Sequence, residues 1–269
     1  MTGNETEMIN IKPIGIIKSD YKTLDQVPVT GGNAQIEIFP EYKDGLLRIE
    51  ENSHLWILMW FHQAGRDFLK VVPGKVNSTL PEYGVFSLHS AGRPNPIAMS
   101  LVRLERVEDN HVWVSGLDAL DGTPVLDIKP YYEQEVVFSP STPYIRPLKR
   151  EMRQKIFMKQ AMMHHQEQCA ELLLGVRMAL VADDYLGQLN TGGLKVTVNG
   201  PPCLADVLQG LSNARLANPP RFRYNETNEL HQSIWEKDGS SLIITARRPI
   251  IKDEIAHADD RQLFSVEFK

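Results

Sequence analysis

Apolar positions along this chain recur with two different periods, and the change falls near residue 147. Before it, short apolar stretches are separated by glycine and proline turns. Ile9–Ile17 is apolar and β-branched, and Ala34–Phe39 alternates as a half-buried strand does. His54–His62 (HLWILMWFH) is a continuous apolar run of strand length, which predicts burial on both faces. Tyr83–Leu88, Met99–Val107, His111–Leu117 and Val125–Ile128 follow as further strands. Their regular spacing predicts a sandwich or a closed barrel. Pro140, Pro143 and Pro147 then mark a hinge, and Leu148–Leu186 holds almost no helix breaker except Gly175. Met152, Ile156, Met158, Met162, Leu172, Leu173, Val176, Leu180 and Val181 recur there at roughly helical spacing, and Gly187 is placed to stop the helix. Leu194–Val198 reads as a strand and Leu204–Ala214 as an amphipathic helix behind Pro201-Pro202. Ser241–Ala246 and Phe264–Phe268 close the chain as strands. The fold class predicted is α+β in two domains, a β-rich one over residues 9–148 and an α+β one over residues 149–269.

Composition adds a few constraints. A chain of 269 residues with 42% hydrophobic and 23% charged content is long enough for two packed domains. Net charge is -5; residues 1–148 carry 13 Lys and Arg against 19 Asp and Glu, and residues 149–269 carry 16 against 15. Neither half has the basic excess of a general nucleic-acid binder, so an RNA partner needs a local patch. Arg215, Arg221 and Arg223, with Phe222 and Tyr224 interleaved, are the candidate substrate-binding patch, a residue mix suited to phosphate pairing and base stacking. A solvated loop is the default reading of that segment. Two cysteines, Cys169 and Cys203, are too few for a disulfide framework. Met1–Lys12 is polar, and the longest apolar run, Leu55–Phe61, is far short of a membrane span. A soluble cytoplasmic protein without a membrane partner is the expectation.

Two segments of the first half suggest chemistry. In Arg93-Pro94-Asn95-Pro96 the prolines fix φ and push their neighbours toward extended backbone, giving a stiff loop that suits either ligand binding or a structural turn. Asp118, Asp121 and Asp127 surround an Asp121-Gly122 pair that reads first as a tight turn. His54 and His111 read as local hydrogen-bonding groups, and Trp56, Trp60 and Trp113 as core residues. No G-x-G-x-x-G follows a strand, so a dinucleotide-type sheet is not expected.

The stretches IGIIKSDYK, SHLWILMWFH, RPNPIAMSLVRL and DGTPVLDIKPY, in this order, resemble the TsaA/TrmO family over residues 9–148. The resemblance implies a closed β-barrel that binds S-adenosylmethionine (SAM) at a homodimer interface. It also implies methylation of N6-threonylcarbamoyladenosine beside the tRNA anticodon. Carried over by position, Phe86, Ser87, Leu88, His89, Arg93, Asn95, Pro96 and Ile97 would line the SAM pocket, with Asp118, Asp121 and Thr123 completing it. His62 and Asp118 would be the catalytic candidates, as proton acceptors. The chain departs from the family where Ser87-Leu88-His89-Ser90 stands for the usual Ala-Thr-Arg-Ser, and at Gly92 and Ala98. A permanent cation is thereby replaced by His89, which is mostly neutral near pH 7.

In the second half His165, Cys169, Gly175, Arg177 and Met178, with PCLADVLQ at Cys203, Asp206 and Gln209, resemble FmdE-like domains, named for a formylmethanofuran dehydrogenase subunit. That family's ligand pattern is incomplete here, with Glu167 where a second histidine is expected. His165 and Cys169 at i, i+4 share a helix face and Cys203 could approach them. Two buried thiols and a capping histidine are the favoured reading, and no metal ligand is assigned. The leading function is therefore a SAM-dependent methyltransferase with tRNA as acceptor. The alternatives are a methyltransferase acting on a small molecule or a metal or pterin cofactor, and a non-catalytic SAM-binding sensor.

Overall fold

The computed structural model describes residues 9–247, 255 and 258–269. By compactness the described residues form two units, those up to Pro73 with Leu80–Val136, and Gly74–Thr79 with those from Val137 onward. The first unit contains β1 (Gly15–Lys18), β2 (Gly32–Ile38), β3 (His54–Trp60), β4 (Lys70–Val71), β5 (Tyr83–Gly84), β6 (Ile97–Glu108), β7 (His111–Leu117) and β8 (Pro124–Pro130). Six of these close an antiparallel barrel in the order β1-β2-β7-β6-β3-β8, while β4 and β5 form a separate ribbon. Alternation along the strands fills the barrel: Ile17, Ile36, Ile38, Leu55, Ile57, Met59, Val102, Val112, Val114 and Val125 point inward.

Two strand expectations change here. β3 is buried on one face only, with Leu55, Ile57 and Met59 inside and Trp56, Leu58 and Trp60 half-exposed on the other. Its unbroken apolar run therefore reflects large residues on a partly covered outer face. Tyr83–Leu88 is not a continuous strand: two residues pair with β4, and Val85–Ser87 turns into a 3-10 helix.

The barrel closes where β1 meets β8, through Gly15↔Val125 and Ile16↔Pro124. Around this short seam Ile14 and Ile17 donate backbone hydrogen bonds to the Val125 and Thr123 carbonyls, and Gly122 donates to Ile17. The Asp121 carboxylate accepts from the Ser19 backbone N–H at 3.0 Å and from Lys22 Nζ at 2.7 Å. Lys22 foremost, then the Ser19 N–H, hold this carboxyl below its ordinary range.

The second unit contains α1 (Arg150–His165), α2 (Ala170–Leu186), β9 (Lys195–Gly200), α3 (Pro202–Ser212), β10 (Phe222–Glu226), β11 (Gln232–Lys237), β12 (Ser240–Ala246), α4 (Asp260–Leu263) and β13 (Phe264–Phe268). The strands form one sheet, β10-β9-β11-β12-β13, in which β9 and β10 run parallel across the α3 crossover. Trp235, Val196, Val198, Leu242, Ile244 and Phe264 share a core with Leu172, Val176, Leu204 and Leu208 of the helices. Helix packing is close at Gly175, where an added Cβ would meet Val207 Cγ1 at 2.6 Å. The helical stretch 148–186 is two helices rather than one, broken where Gln166 adopts φ 61°. No apolar residue occurs between His164 and Gln168, so a continuous helix would have no core-facing position there.

Residues 137–148 belong to this unit rather than to the barrel, because polar contacts bind them to it. Tyr144 donates to Asp183, Arg146 Nε donates to Asp183 at 3.0 Å, and Asn77 donates to the Arg146 carbonyl at 2.9 Å. Asp183 is 1% exposed and is also approached by Arg153 at 3.2 Å. A buried carboxylate with this many donors leaves them uncompensated if it is removed. Asp183→Ala should lower the stability of the second unit by about 3–5 kcal/mol, read from urea unfolding of the far-ultraviolet helical signal. A loss under ~1 kcal/mol, the range of an exposed pair, would contradict this.

Asp121 gives a pH prediction for the first unit. A carboxyl depressed in the folded state contributes stability that is present above its unfolded pKa and lost as pH falls through the folded value. Barrel stability should therefore decline below about pH 4, and Asp121→Asn should flatten that decline while weakening the barrel at neutral pH. An unchanged acid limb in the variant would show that the seam does not depend on this carboxylate.

Candidate functional sites

At one end of the barrel, the segment between β5 and β6 is held in place by its own arginine. Arg93 Nε donates to the Ser90 carbonyl at 2.7 Å, and Nη2 donates to the carbonyls of Val85, at 2.7 Å, and Leu88. One fork-shaped guanidinium thus closes residues 85–93 into a loop. The loop is tied to the end of β3, since Phe61 N–H donates to the Pro96 carbonyl at 2.9 Å and Arg93 N–H donates to Gly65 at 3.2 Å. Arg66 donates to the Pro94 carbonyl at 3.2 Å while lying 5.3 Å from the Trp60 ring centroid. The Phe68 ring packs over Gly92, where a Cβ would come within 2.9 Å of it.

With its internal polar groups bound this way, the loop turns other groups outward. Phe86 is 82% exposed, Ser87, His89 and Asn95 are exposed, Leu88 is half-buried and Pro96 is buried. Ile97 and Met99, at the start of β6, add exposed apolar surface. Ser100 faces the other way, is buried, and donates to the carboxylate of exposed Asp118 just past β7. His62 follows β3 on the surface, with Nε2 3.3 Å from Gln63 Nε2. Of the expected pocket residues, the structure gathers Phe86–Ile97 and His62 around the β3–β6 end. Asp121 and Thr123 serve the seam instead: the Asp121 carboxylate is bound to Lys22 and Ser19, and Thr123 is 1% exposed. The arginine-aromatic segment is the strand β10, not a loop. Phe222 is buried and Tyr224 packs on the core, so the two aromatics are withdrawn from any stacking surface. Arg221 donates to the carbonyls of Thr191, Leu194 and Asn213, which leaves Arg215 and Arg223 exposed.

A second cluster lies in the other unit, where the C-terminus of α1 meets the N-termini of α2 and α3. His165 is the last residue of α1, and Cys169 is the N-cap of α2, its sulfur accepting from Leu172 N–H at 3.3 Å. The two therefore meet across the helix break, not along one helix face. His165 Nε2 lies 3.3 Å from Cys169 Sγ, and Nδ1 lies 2.7 Å from Asp206 Oδ2. The other Asp206 oxygen is 3.1 Å from His164 Nε2. Ligand atoms of His165, Cys169 and Cys203 all lie within 4.8 Å of one another. Both thiols are half-buried rather than buried, and Cys169, not the histidine, caps the helix. Burial pushes the Cys169 thiol up, with Cys203 and Glu171 adding to the shift against the Leu172 N–H. Gly175, Arg177 and Met178 have packing roles of their own. Arg177 donates to Asp260 and to the Ile255 and Ala258 carbonyls, and Met178 is buried in the core.

Residues 16–135 match the family model described as the tRNA-methyltransferase O N-terminal domain. A probable S-adenosyl-L-methionine-binding protein of Archaeoglobus fulgidus is 35% identical over 222 residues, covering 78% of this chain and 60% of that protein. A second protein of the same organism, described as an S-adenosyl-L-methionine-binding protein, is 46% identical over 125 residues, 45% of this chain and 88% of the relative. A tRNA (adenine(37)-N6)-methyltransferase of Mus musculus is 48% identical over 96 residues, 35% of this chain and 22% of that enzyme. The chain thus spans three fifths of the first relative's length and nearly all of the second's. Barrel topology, the matched residues and these identities agree, and the chain belongs, through its first unit, to the tRNA-methyltransferase O N-terminal domain family.

Proposed function

We propose that this chain is a SAM-dependent methyltransferase whose cofactor site is the Arg93-clasped loop and whose acceptor is an adenine of tRNA, N6-threonylcarbamoyladenosine beside the anticodon. The observation that carries this reading is the loop itself, rigid within and presenting an aromatic ring, an amide side chain and backbone outward. The donor set suits SAM. Phe86, Ile97 and Met99 offer apolar surface to adenine, and Asp118 offers a fixed acceptor to a ribose hydroxyl or an ammonium group.

SAM supplies an electrophilic methyl group on a sulfonium. What the chain adds is mostly orientation, because in-line displacement depends on alignment of the attacking nitrogen. Nitrogen takes the methyl as its bond to sulfur breaks, leaving S-adenosylhomocysteine, and the N6 proton passes to a nearby acceptor. Asp118, steadied by Ser100, is our first choice for that acceptor and His62 the second. Exposed Phe86, Ile97 and Met99 also suit a second copy of the chain, and we read the protein as a homodimer with its site at that contact. Within the arginine-aromatic segment, Arg215 and Arg223 are the exposed cations to meet RNA phosphate.

A second reading, methylation of a small acceptor or a cofactor, is favoured by exposed His89 in place of a permanent cation and by the acidic excess of residues 1–148. For the second unit, the FmdE-like reading rests on motif spacing alone. The deciding experiment supplies methyl-labelled SAM with tRNA that carries or lacks threonylcarbamoylation. Label should enter only the modified tRNA, and Asp118→Asn should slow transfer by about 10²-fold with SAM binding retained. Label entering only a low-molecular-weight metabolite pool would establish the small-acceptor reading instead.

A further inference from the structure

We propose that His165, Cys169 and Cys203 together bind one zinc-class divalent cation, with the fourth coordination position open. Three separate elements converge to place these atoms: the end of α1, the N-cap of α2 and the first turn of α3. Zinc bonds of about 2.3 Å to sulfur and about 2.0 Å to nitrogen give tetrahedral edges of about 3.3–3.8 Å. The three atoms already lie within 4.8 Å of one another, so side-chain shifts totalling about 1–1.5 Å at most complete the geometry.

The surroundings fit an ion better than three free side chains. Asp206 Oδ2 at 2.7 Å from His165 Nδ1 is the carboxylate–histidine arrangement that fixes the tautomer and leaves the Nε2 lone pair for a metal. The same Asp206 is steadied by His164 at 3.1 Å, and the His164 ring is packed over Gly210, where a Cβ would lie 2.6 Å from it. The ligating ring is itself 7% exposed, so its position is set by packing. Both cysteines stand at the N-terminal ends of helices of 17 and 11 residues, so each sulfur is placed by a helix start. Tyr224, on β10 beside α3, has a buried hydroxyl with no hydrogen-bond partner among the described residues.

The competing use of these atoms is a Cys169–His165–Asp206 nucleophile. A second thiol within ligand distance has no part in such a triad.

The test uses the full chain, purified anaerobically with its thiols reduced, titrated with cobalt(II) and then zinc. Expected are one ion per chain, a thiolate-to-cobalt charge-transfer band, and the intense visible bands of tetrahedral cobalt, all displaced by zinc. Asp206→Asn, which leaves all three ligands in place, should weaken the metal by about 10–100-fold, and Cys203→Ser should abolish the two-thiolate spectrum. Circular dichroism of each variant establishes that the helices persist; if Cys203→Ser unfolds, wild type and Asp206→Asn decide the matter. A folded, reduced wild type that binds neither ion overturns the proposal. So does alkylation of Cys169 at the same rate with and without zinc.

Discussion

Closure of the barrel across two residue pairs is the constraint on which the first unit depends. β1 is four residues long, and it must pair with β2 on one side and β8 on the other. Glycine at position 15 makes the tight side feasible, since a Cβ there would lie 2.4 Å from the Glu37 carbonyl oxygen. The turn that precedes β8 supplies the rest of the seam, with Gly122 at φ 76° donating to Ile17 and Asp121 gripping Lys22 and Ser19. A turn pinned in this way fixes the residues just before it. Asp118 thereby emerges from β7 at a set position, where Ser100 of β6 meets it. The same hydrogen bonds that close the barrel therefore aim the acid of the proposed site.

The loop between β5 and β6 depends on a different device. Residues 85–93 have no strand neighbours, and a loop of this kind would ordinarily have its carbonyls bonded to water and many conformations open to it. Arg93 replaces that water with three donated bonds from one planar group. Ordering entropy is then lost on folding rather than on ligand binding, which is how preorganisation raises affinity. Arg93 thus holds the frame of the proposed site, while Phe86 and Asn95 are among the groups it leaves exposed.

How much of this was legible in the sequence depended on how local each signal is. His111–Leu117 alternates cleanly between a turn and Gly116, and it is a strand over those residues in the fold. Gly187 stops α2 with φ 69°, as a glycine after the last periodic residue should. Tyr83–Leu88 has strand composition yet curls, because Arg93 needs the Val85 and Leu88 carbonyls turned toward it, a contact no local pattern reveals. β10 was hidden by prolines and arginines, although Phe222 and Tyr224 at a spacing of two carry the alternation. β11 is likewise weakly marked by its own residues, and the Asp238-Gly239 pair, with φ of 50° and 86°, is its hairpin signal. Cys203 reaching His165 is wholly non-local, a product of how α3 packs against α1. Sequence alone therefore favoured two separate buried thiols where the fold gathers three ligand atoms.

The central claim, that the Arg93-clasped loop is a cofactor site, is tested most directly by calorimetric titration of the folded chain with SAM and with S-adenosylhomocysteine. The account predicts saturable binding of both to the wild type, and at least tenfold weaker binding to Arg93→Gln, with the barrel's thermal transition preserved. Absence of binding to a well-folded wild type, or undiminished binding to the variant, would contradict it.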